Sequence, residues 1–399
     1  MKKITLLIAT ILAIIILNDN RVYAETSSKP PTLHSESAFL MEANTGEILY
    51  EKNGTEPMYP ASVTKIATAI FAIETGNLED IVTISSEASA KNVEGTTVFL
   101  DEGEQVTLEK LVQGLLINSG NDAGVAIAEH LSGSMEQFSE DINAYLENVI
   151  GTEQTNFKNP HGLFDDKHVT TAEDLAKITL HAMQNDKFMD IFGKKELEWD
   201  GKTWDTTIRN HHKLVKEEIP YIGITGGKNG FVSKSGFTLV TTAERDDLHL
   251  VAVTLKTSLD SEAYEDTISL LDYGFENFTV SSIEEGTEFT VEGQEYVAPE
   301  TLSFLHSVEE QPKEIIEEDG LVKIVDGNET ITAFQLEKYS DGGELEARNT
   351  AVESHETSIF DNIFVYFLIA FILGIFILVN VAIRKRNKRR YARNNRYFL

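Results

Sequence analysis

Three short clusters in this chain carry residues that could do covalent chemistry. In Ser62-Val63-Thr64-Lys65 a spacing of three puts hydroxyl and amine on one face within a helical turn, so the amine can approach the hydroxyl. A neutral Lys could then take the Ser proton, and neutrality requires burial or a second cation nearby. Such a pair arises by chance roughly once or twice in a chain of this size, so it needs company. Ser119-Gly120-Asn121 supplies a second hydroxyl and an amide that a turn can project. Lys228-Asn229-Gly230 supplies a second Lys, with a Gly that lets another backbone come close. Together these are the parts of a serine acyl-transferase working by Ser-Lys chemistry.

The surrounding pattern says how these clusters are held. Residues 37–51 read as a hairpin turning at Ala43-Asn44-Thr45-Gly46. Pro57 and Pro60 mark a loop that ends just before a helix over 62–75, closed by Gly76. A second helix is expected over 107–117. The chain breaks at 119–121 and resumes as helix over 122–131, so the second cluster falls on a turn between two helices. Ser134 with Gln137 and Thr171 with Asp174 read as helix starts. From about residue 205 the period becomes two: 236–244 and 248–257 form an antiparallel hairpin, followed by a helix over 261–278. Strands, a helical block, then strands and a helix describe an α+β fold whose sheet is assembled from both ends of the domain.

On these residues the sequence resembles the low-molecular-mass penicillin-binding proteins, serine-type D-alanyl-D-alanine carboxypeptidases within the penicilloyl-serine transferase group. Pro60-Ala61-Ser62-Val63-Thr64-Lys65 is similar to the first motif of that family, and Ser119-Gly120-Asn121-Asp122-Ala123 to the second. Asn159-Pro160-His161-Gly162-Leu163 is similar to a further segment typical of these enzymes. The third motif departs from the family: Asn229 stands where a hydroxyl residue would hold the substrate's terminal carboxylate. An Asn amide still donates a hydrogen bond but is bulkier.

The resemblance implies a penicilloyl-serine transferase or serine β-lactamase-like catalytic domain, an antiparallel sheet with helices plus a helical subdomain. It implies Ser62 as nucleophile, Lys65 as base, Ser119 as proton relay to the departing D-Ala, and Asn121 as holder of Lys65 and the substrate amide. Lys228, Asn229, Gly230 and Phe231 would bind substrate, with the N–H groups of Ser62 and Phe231 as oxyanion hole. The implied activity is hydrolysis of the terminal D-Ala-D-Ala bond of peptidoglycan stem pentapeptides, releasing D-Ala and limiting cross-linking. β-Lactam antibiotics would be covalent inhibitors, and no cofactor or metal is called for. Two rivals stand beside this: a non-catalytic penicillin-binding or wall-binding relative, motivated by Asn229, and a serine β-lactamase. The second is disfavoured by Ser-Gly-Asn in place of Ser-Asp-Asn and by the lack of a deacylating Glu segment. None of the ten His lies in a recognisable triad or HExxH context, so His161 reads as structural and His211-His212 as surface or strand positions.

Composition sets the outer bounds. The 399 residues contain no Cys, which excludes a disulfide scaffold, thiolate metal sites and Cys nucleophiles. The net charge of −31 argues against nucleic acid as a partner. That charge is divided unevenly: residues 1–24 carry +2, residues 384–399 carry +8, and the stretch between carries −41. Lys2 and Lys3 before an apolar run over 4–17, then Val22-Tyr23-Ala24, have the layout of a secretory signal, 1–24. Residues 363–383 contain no formal charge and are long enough to span a bilayer. The basic tail 384–399 follows at once, so the positive-inside bias puts the C-terminus in the cytoplasm. The expected organisation is a catalytic domain over 25–278, a small β-rich domain over 279–340, an acidic stalk over 341–362 and a single-pass C-terminal transmembrane helix. The body then works on the extracytoplasmic face of a bacterial cell membrane.

Overall fold

The computed structural model describes residues 29–338 with the exception of Asn328. The signal, stalk, span and tail expected at the two ends lie outside the described residues. Among the described residues no helix is long and apolar enough to cross a membrane.

The centre is a five-stranded antiparallel sheet built from β1 (Ser37–Glu42), β2 (Ile48–Lys52), and three later strands, with the order β2-β1-β9-β8-β7. The N-terminal hairpin pairs with the C-terminal one through β1 and β9 (Leu248–Thr257), in the register Phe39↔Val253 and Met41↔Val251. Strand β8 (Gly236–Arg245) lies between β9 and the edge strand β7 (Ile224–Val232). The sheet is therefore drawn from both ends of the domain, as the order of periodicities implied.

Every residue of β1 is buried, because both faces of the sheet are covered and alternate side chains enter different cores. Phe39 and Met41 join Val251 and Val253 in the core shared with the helical block, while Ala38, Leu40, Leu250 and Ala252 meet Leu270 and Leu271 on the other face. Those last two belong to the long C-terminal helix, which closes that face.

The helical block runs α1 (Lys65–Thr75), then β3 (Ile81–Thr83) and β4 (Gln105–Thr107), which pair with one another. It continues with α2 (Leu108–Ile117), α3 (Asn121–Ser132), α4 (Met135–Tyr145), α5 (Ala172–Met183) and α6 (Asp186–Phe192). The hairpin of β5 (Glu196–Asp200) and β6 (Asp205–Arg209) then leads back to the sheet, and α7 (Asp260–Asn277) follows β9. Thr107, Ser134 and Thr171 each cap a helix by accepting an N–H three residues on, from Lys110, Gln137 and Asp174. Gly76 ends α1.

The first helix differs from expectation at its start. Residues Ala61–Thr64 form a 3-10 turn with no side-chain cap, and the α-helix begins only at Lys65. Ala61 has φ +51°, a left-handed conformation that turns the chain sharply out of the Pro60 loop.

After α7 the described residues form strands only, β10 to β17, from Phe278 to Lys338. Strand β10 (Phe278–Ile283) pairs with β13 (Leu302–Ser307), and two three-stranded sheets surround a core containing Ile283, Tyr296, Phe304, Val322 and Ile324.

Candidate active site

Pro60 ends the loop before the 3-10 turn, and its carbonyl accepts a hydrogen bond at 2.9 Å from the buried Thr238 hydroxyl of β8. This ties the start of the first cluster to the sheet. The left-handed Ala61 then presents Ser62 half-exposed, with Lys65 one turn further on. Lys65 is wholly buried, and its Nζ donates to Ser62 Oγ at 2.9 Å and to the His161 carbonyl oxygen at 2.7 Å. Burial drives the Lys65 pKa well below its usual value, the Lys228 charge lowers it further, and Asp122 works against both. Burial and Lys228 thus favour the neutral amine beside the hydroxyl whose proton it would take.

The second cluster sits where expected, on the turn between α2 and α3. Ser119 is buried and left-handed at φ +61°. Two hydroxyl-bearing turns of the site therefore hold a non-glycine residue in a region costing on the order of 1–3 kcal/mol, as is common where a backbone is over-determined for function. The determinants are visible. Asn121 N–H donates to Thr96 O and its side-chain Nδ2 to Glu94 O, both at 2.7 Å. Asp122, fully buried, accepts from the backbone N–H groups of Val98, Leu100 and Ala123 at 2.9–3.1 Å. The 94–100 loop and the Ser119 turn are one clamped unit.

Asn121 Nδ2 donates to Glu94 O, and the described partner of Lys65 beyond Ser62 is the His161 carbonyl. That carbonyl could not be found from spacing, since it is a backbone atom 96 residues away in sequence. Asn159 shapes the segment: its Oδ1 accepts from Gly162 N at 2.7 Å and its Nδ2 donates to Leu163 O at 2.9 Å. Gly162, at φ +85°, lies where a Cβ would come within 1.8 Å of Ala61 O, so only Gly fits. The His161 ring is pushed down to a pKa of about 3 by burial and by Lys65, so it is neutral, consistent with a structural part.

The third cluster lies on the edge strand β7, in the register Lys228↔Val240, Asn229↔Leu239 and Phe231↔Phe237. Lys228 is buried, donates to Asn229 O at 3.0 Å, and has its pKa lowered by burial to about 7. Asn229 is half-buried and Phe231 exposed, its ring against Phe237. Gly230 faces the first cluster: a Cβ there would stand 2.6 Å from Ser62 N and from Thr238 Oγ1. Ser62, Lys65, Gly230 and, through charge, Lys228 are thereby brought together, while the Ser119–Asn121 turn adjoins them through Asp122.

His212 corrects an expectation. It is fully buried, its ring packs on Gly227 next to Lys228, its Nε2 meets Thr241 Oγ1 at 2.9 Å, and burial lowers its pKa to about 3. His211 alone is exposed. It lines, with Asn118, Trp204, Arg209 and Asn210, a groove of about 670 Å³ beside the Ser119 turn. Among the described residues no group of three or more His, Asp or Glu could hold a metal ion.

The family profile described as D-alanyl-D-alanine carboxypeptidase matches residues 24–258. The chain is similar to D-alanyl-D-alanine carboxypeptidase DacF of Bacillus subtilis, 31% identical over 251 residues, covering 61% of this chain and 63% of that protein. It is similar also to DacD of Escherichia coli, 33% identical over 267 residues, covering 64% and 67%. The match thus spans about two thirds of the length of these relatives. Among solved structures, penicillin binding protein 6B of Escherichia coli superposes with a TM-score of 0.67 at 29% identity, covering 77% of this chain and 96% of that one. Penicillin binding protein 5 of Haemophilus influenzae gives 0.69 at 27%, covering 80% and 100%.

Proposed function

The chain belongs to the D-alanyl-D-alanine carboxypeptidase family, and from that membership we infer that it hydrolyses the terminal D-Ala-D-Ala bond of peptidoglycan stem pentapeptides through an acyl-enzyme on Ser62. The observation that carries the reading is the buried Lys65 amine 2.9 Å from Ser62 Oγ, its pKa driven down by burial.

The stem peptide lies extended along the free edge of β7, where main-chain groups of an edge strand are available for pairing. Ser62 Oγ attacks the penultimate D-Ala carbonyl while its proton passes to Lys65 Nζ. The developing oxyanion is met by the N–H groups of Ser62 and Phe231; the close approach of Gly230 to Ser62 N supports this, since it brings the two backbones side by side. Collapse breaks the C–N bond, and Ser119 relays the proton held on Lys65 Nζ to the leaving D-Ala amine, giving up its own proton and regaining that one, at the end of the site where the Asn118-lined groove opens. Lys228 supplies positive potential to the substrate carboxylate, with Asn229 as its hydrogen-bonding neighbour. Water then hydrolyses the ester. β-Lactams acylate Ser62 by the same attack and are released slowly.

The catalytic body works outside the cytoplasm, exported by residues 1–24 and tethered by 363–383, a reading supported by the charge and hydropathy of those segments in the sequence. Labelling of the purified protein with a fluorescent penicillin tests the reading. A covalent band in the wild type that is lost in Ser62→Ala is expected, and a band that persists in Ser62→Ala contradicts it.

A further inference from the structure

Behind the first cluster lies a run of buried polar groups that the mechanism above does not use. Lys158 N–H donates to His168 Nδ1 at 3.0 Å, so the ring proton is on Nε2. His168 Nε2 faces Thr64 Oγ1 at 2.9 Å, and Thr64 Oγ1 in turn donates to Ala61 O at 2.8 Å. Each link has one possible direction, and it runs from Lys158 to His168 to Thr64 to Ala61. His168 is 2% exposed, Thr64 is fully buried, and the imidazole stacks on Phe157 at 4.8 Å with an interplanar angle of 13°. Burial holds the ring neutral, with its pKa near 3, so Nδ1 stays an acceptor and the direction of the run is fixed across the neutral range.

The run ends on a significant atom. Ala61 C=O and Ser62 N–H are the two ends of one planar peptide unit, so a hydrogen bond accepted at the oxygen polarises the N–H. The same bond also braces the left-handed Ala61, which aims that N–H toward β7. We propose that His168 and Thr64 are positioning residues that orient and polarise the Ser62 N–H as an oxyanion donor. The proposal rests on the reading of Ser62 N–H as part of the oxyanion hole.

The test is a double-mutant cycle on the full-length protein, read as the second-order rate of Ser62 acylation by penicillin and as kcat and KM for a D-Ala-D-Ala pentapeptide, with a thermal melt for every variant. Thr64→Val removes the donor to Ala61 O and is expected to slow acylation roughly three- to tenfold, the span of one ordinary hydrogen bond. The loss should appear in kcat and leave KM nearly unchanged. His168→Leu should give a loss of similar size, and the double variant no more than the larger single loss. Thr64→Ser keeps the hydroxyl, and His168→Gln keeps an N–H at the Nε2 position; both should restore most of the rate. If Thr64→Val does not fold, Thr64→Cys, whose thiol is a weak donor of similar size, replaces it.

A lowered melting temperature with unchanged acylation, or single losses that add, overturns the proposal and leaves a merely structural pair. Failure of the wild type to form any penicillin adduct is a different result, which removes the underlying functional reading and the proposal with it.

Discussion

Lys65 Nζ stands 2.9 Å from Ser62 Oγ and, among the described residues, has as its other hydrogen-bond partner the His161 carbonyl oxygen. Neither hydrogen-bond partner is an acid, and burial and Lys228 favour the neutral form against the opposing pull of Asp122. Lys65→Arg therefore puts a permanently charged group where a base is needed. Acylation by penicillin, followed in a stopped-flow instrument, should fall by at least about a thousandfold, in line with loss of a general base. A variant within tenfold of wild type would show that Lys65 is not the proton acceptor.

Gly230→Ala tests the contact between strand and nucleophile. The added Cβ would stand 2.6 Å from Ser62 N and from Thr238 Oγ1, and 3.0 Å from Ala61 Cβ. Both nearest groups are fixed, one being backbone and the other bound to Pro60 O. The strand and the 3-10 turn must separate, which misplaces the oxyanion donors. Acylation should drop by on the order of a hundredfold, the effect of one lost oxyanion donor, while the far-ultraviolet circular dichroism is retained.

Lys228 makes two opposite demands on pH. Its charge is present below a pKa of about 7 and lost above it, so kcat/KM for a carboxylate-bearing peptide should decline as pH rises through that value. Stability runs the other way. The unfolded chain binds the Lys proton up to about pH 10.5 whereas the folded chain releases it near 7, so within this window the unfolded state holds more protons and stability increases with pH. Lys228→Met should lessen that slope, to which the buried Lys65 also contributes, raise the melting temperature at pH 7 and remove carboxypeptidase activity. Thermal melts of wild type and variant at pH 7 and pH 9 check the sign; an identical pH dependence in both would contradict it.

Asn229 lies on β7 between Lys228 and Gly230, paired with Leu239, at the position where the resemblance would place Thr or Ser. Asn229→Thr restores a smaller hydroxyl at the carboxylate end and should increase D-Ala release from a pentapeptide. Equal or lower rates would show that Asn is the fitted residue in this protein.

Much of this was legible because it is local. The Ser62 to Lys65 spacing, the turn carrying Ser119, and the caps at Thr107, Ser134 and Thr171 depend on residues within a turn of one another, and four of the five central strands follow from periodicity, whereas the edge strand β7 was not legible as a strand. What could not be read is long-range and made by the backbone. The His161 carbonyl reaches Lys65 across 96 residues, and the tether of Pro60 O to Thr238 crosses 178. Burial of His168 and His212 has no sequence signature, since the same residue type is as much at home on a surface. The left-handed Ala61 was equally hidden, because Ala carries no preference for that conformation and tertiary contacts with Gly162 and Thr238, together with the Thr64 hydrogen bond, impose it.

The central claim is that Ser62 forms the acyl-enzyme in cleavage of D-Ala-D-Ala. The most direct measurement is mass spectrometry of purified stem pentapeptide after incubation with the wild-type protein and with Ser62→Ala. Tetrapeptide and free D-Ala from the wild type alone are predicted, together with a penicilloyl adduct that maps to Ser62. Release of D-Ala by Ser62→Ala at the wild-type rate, or an adduct on another residue, would contradict it.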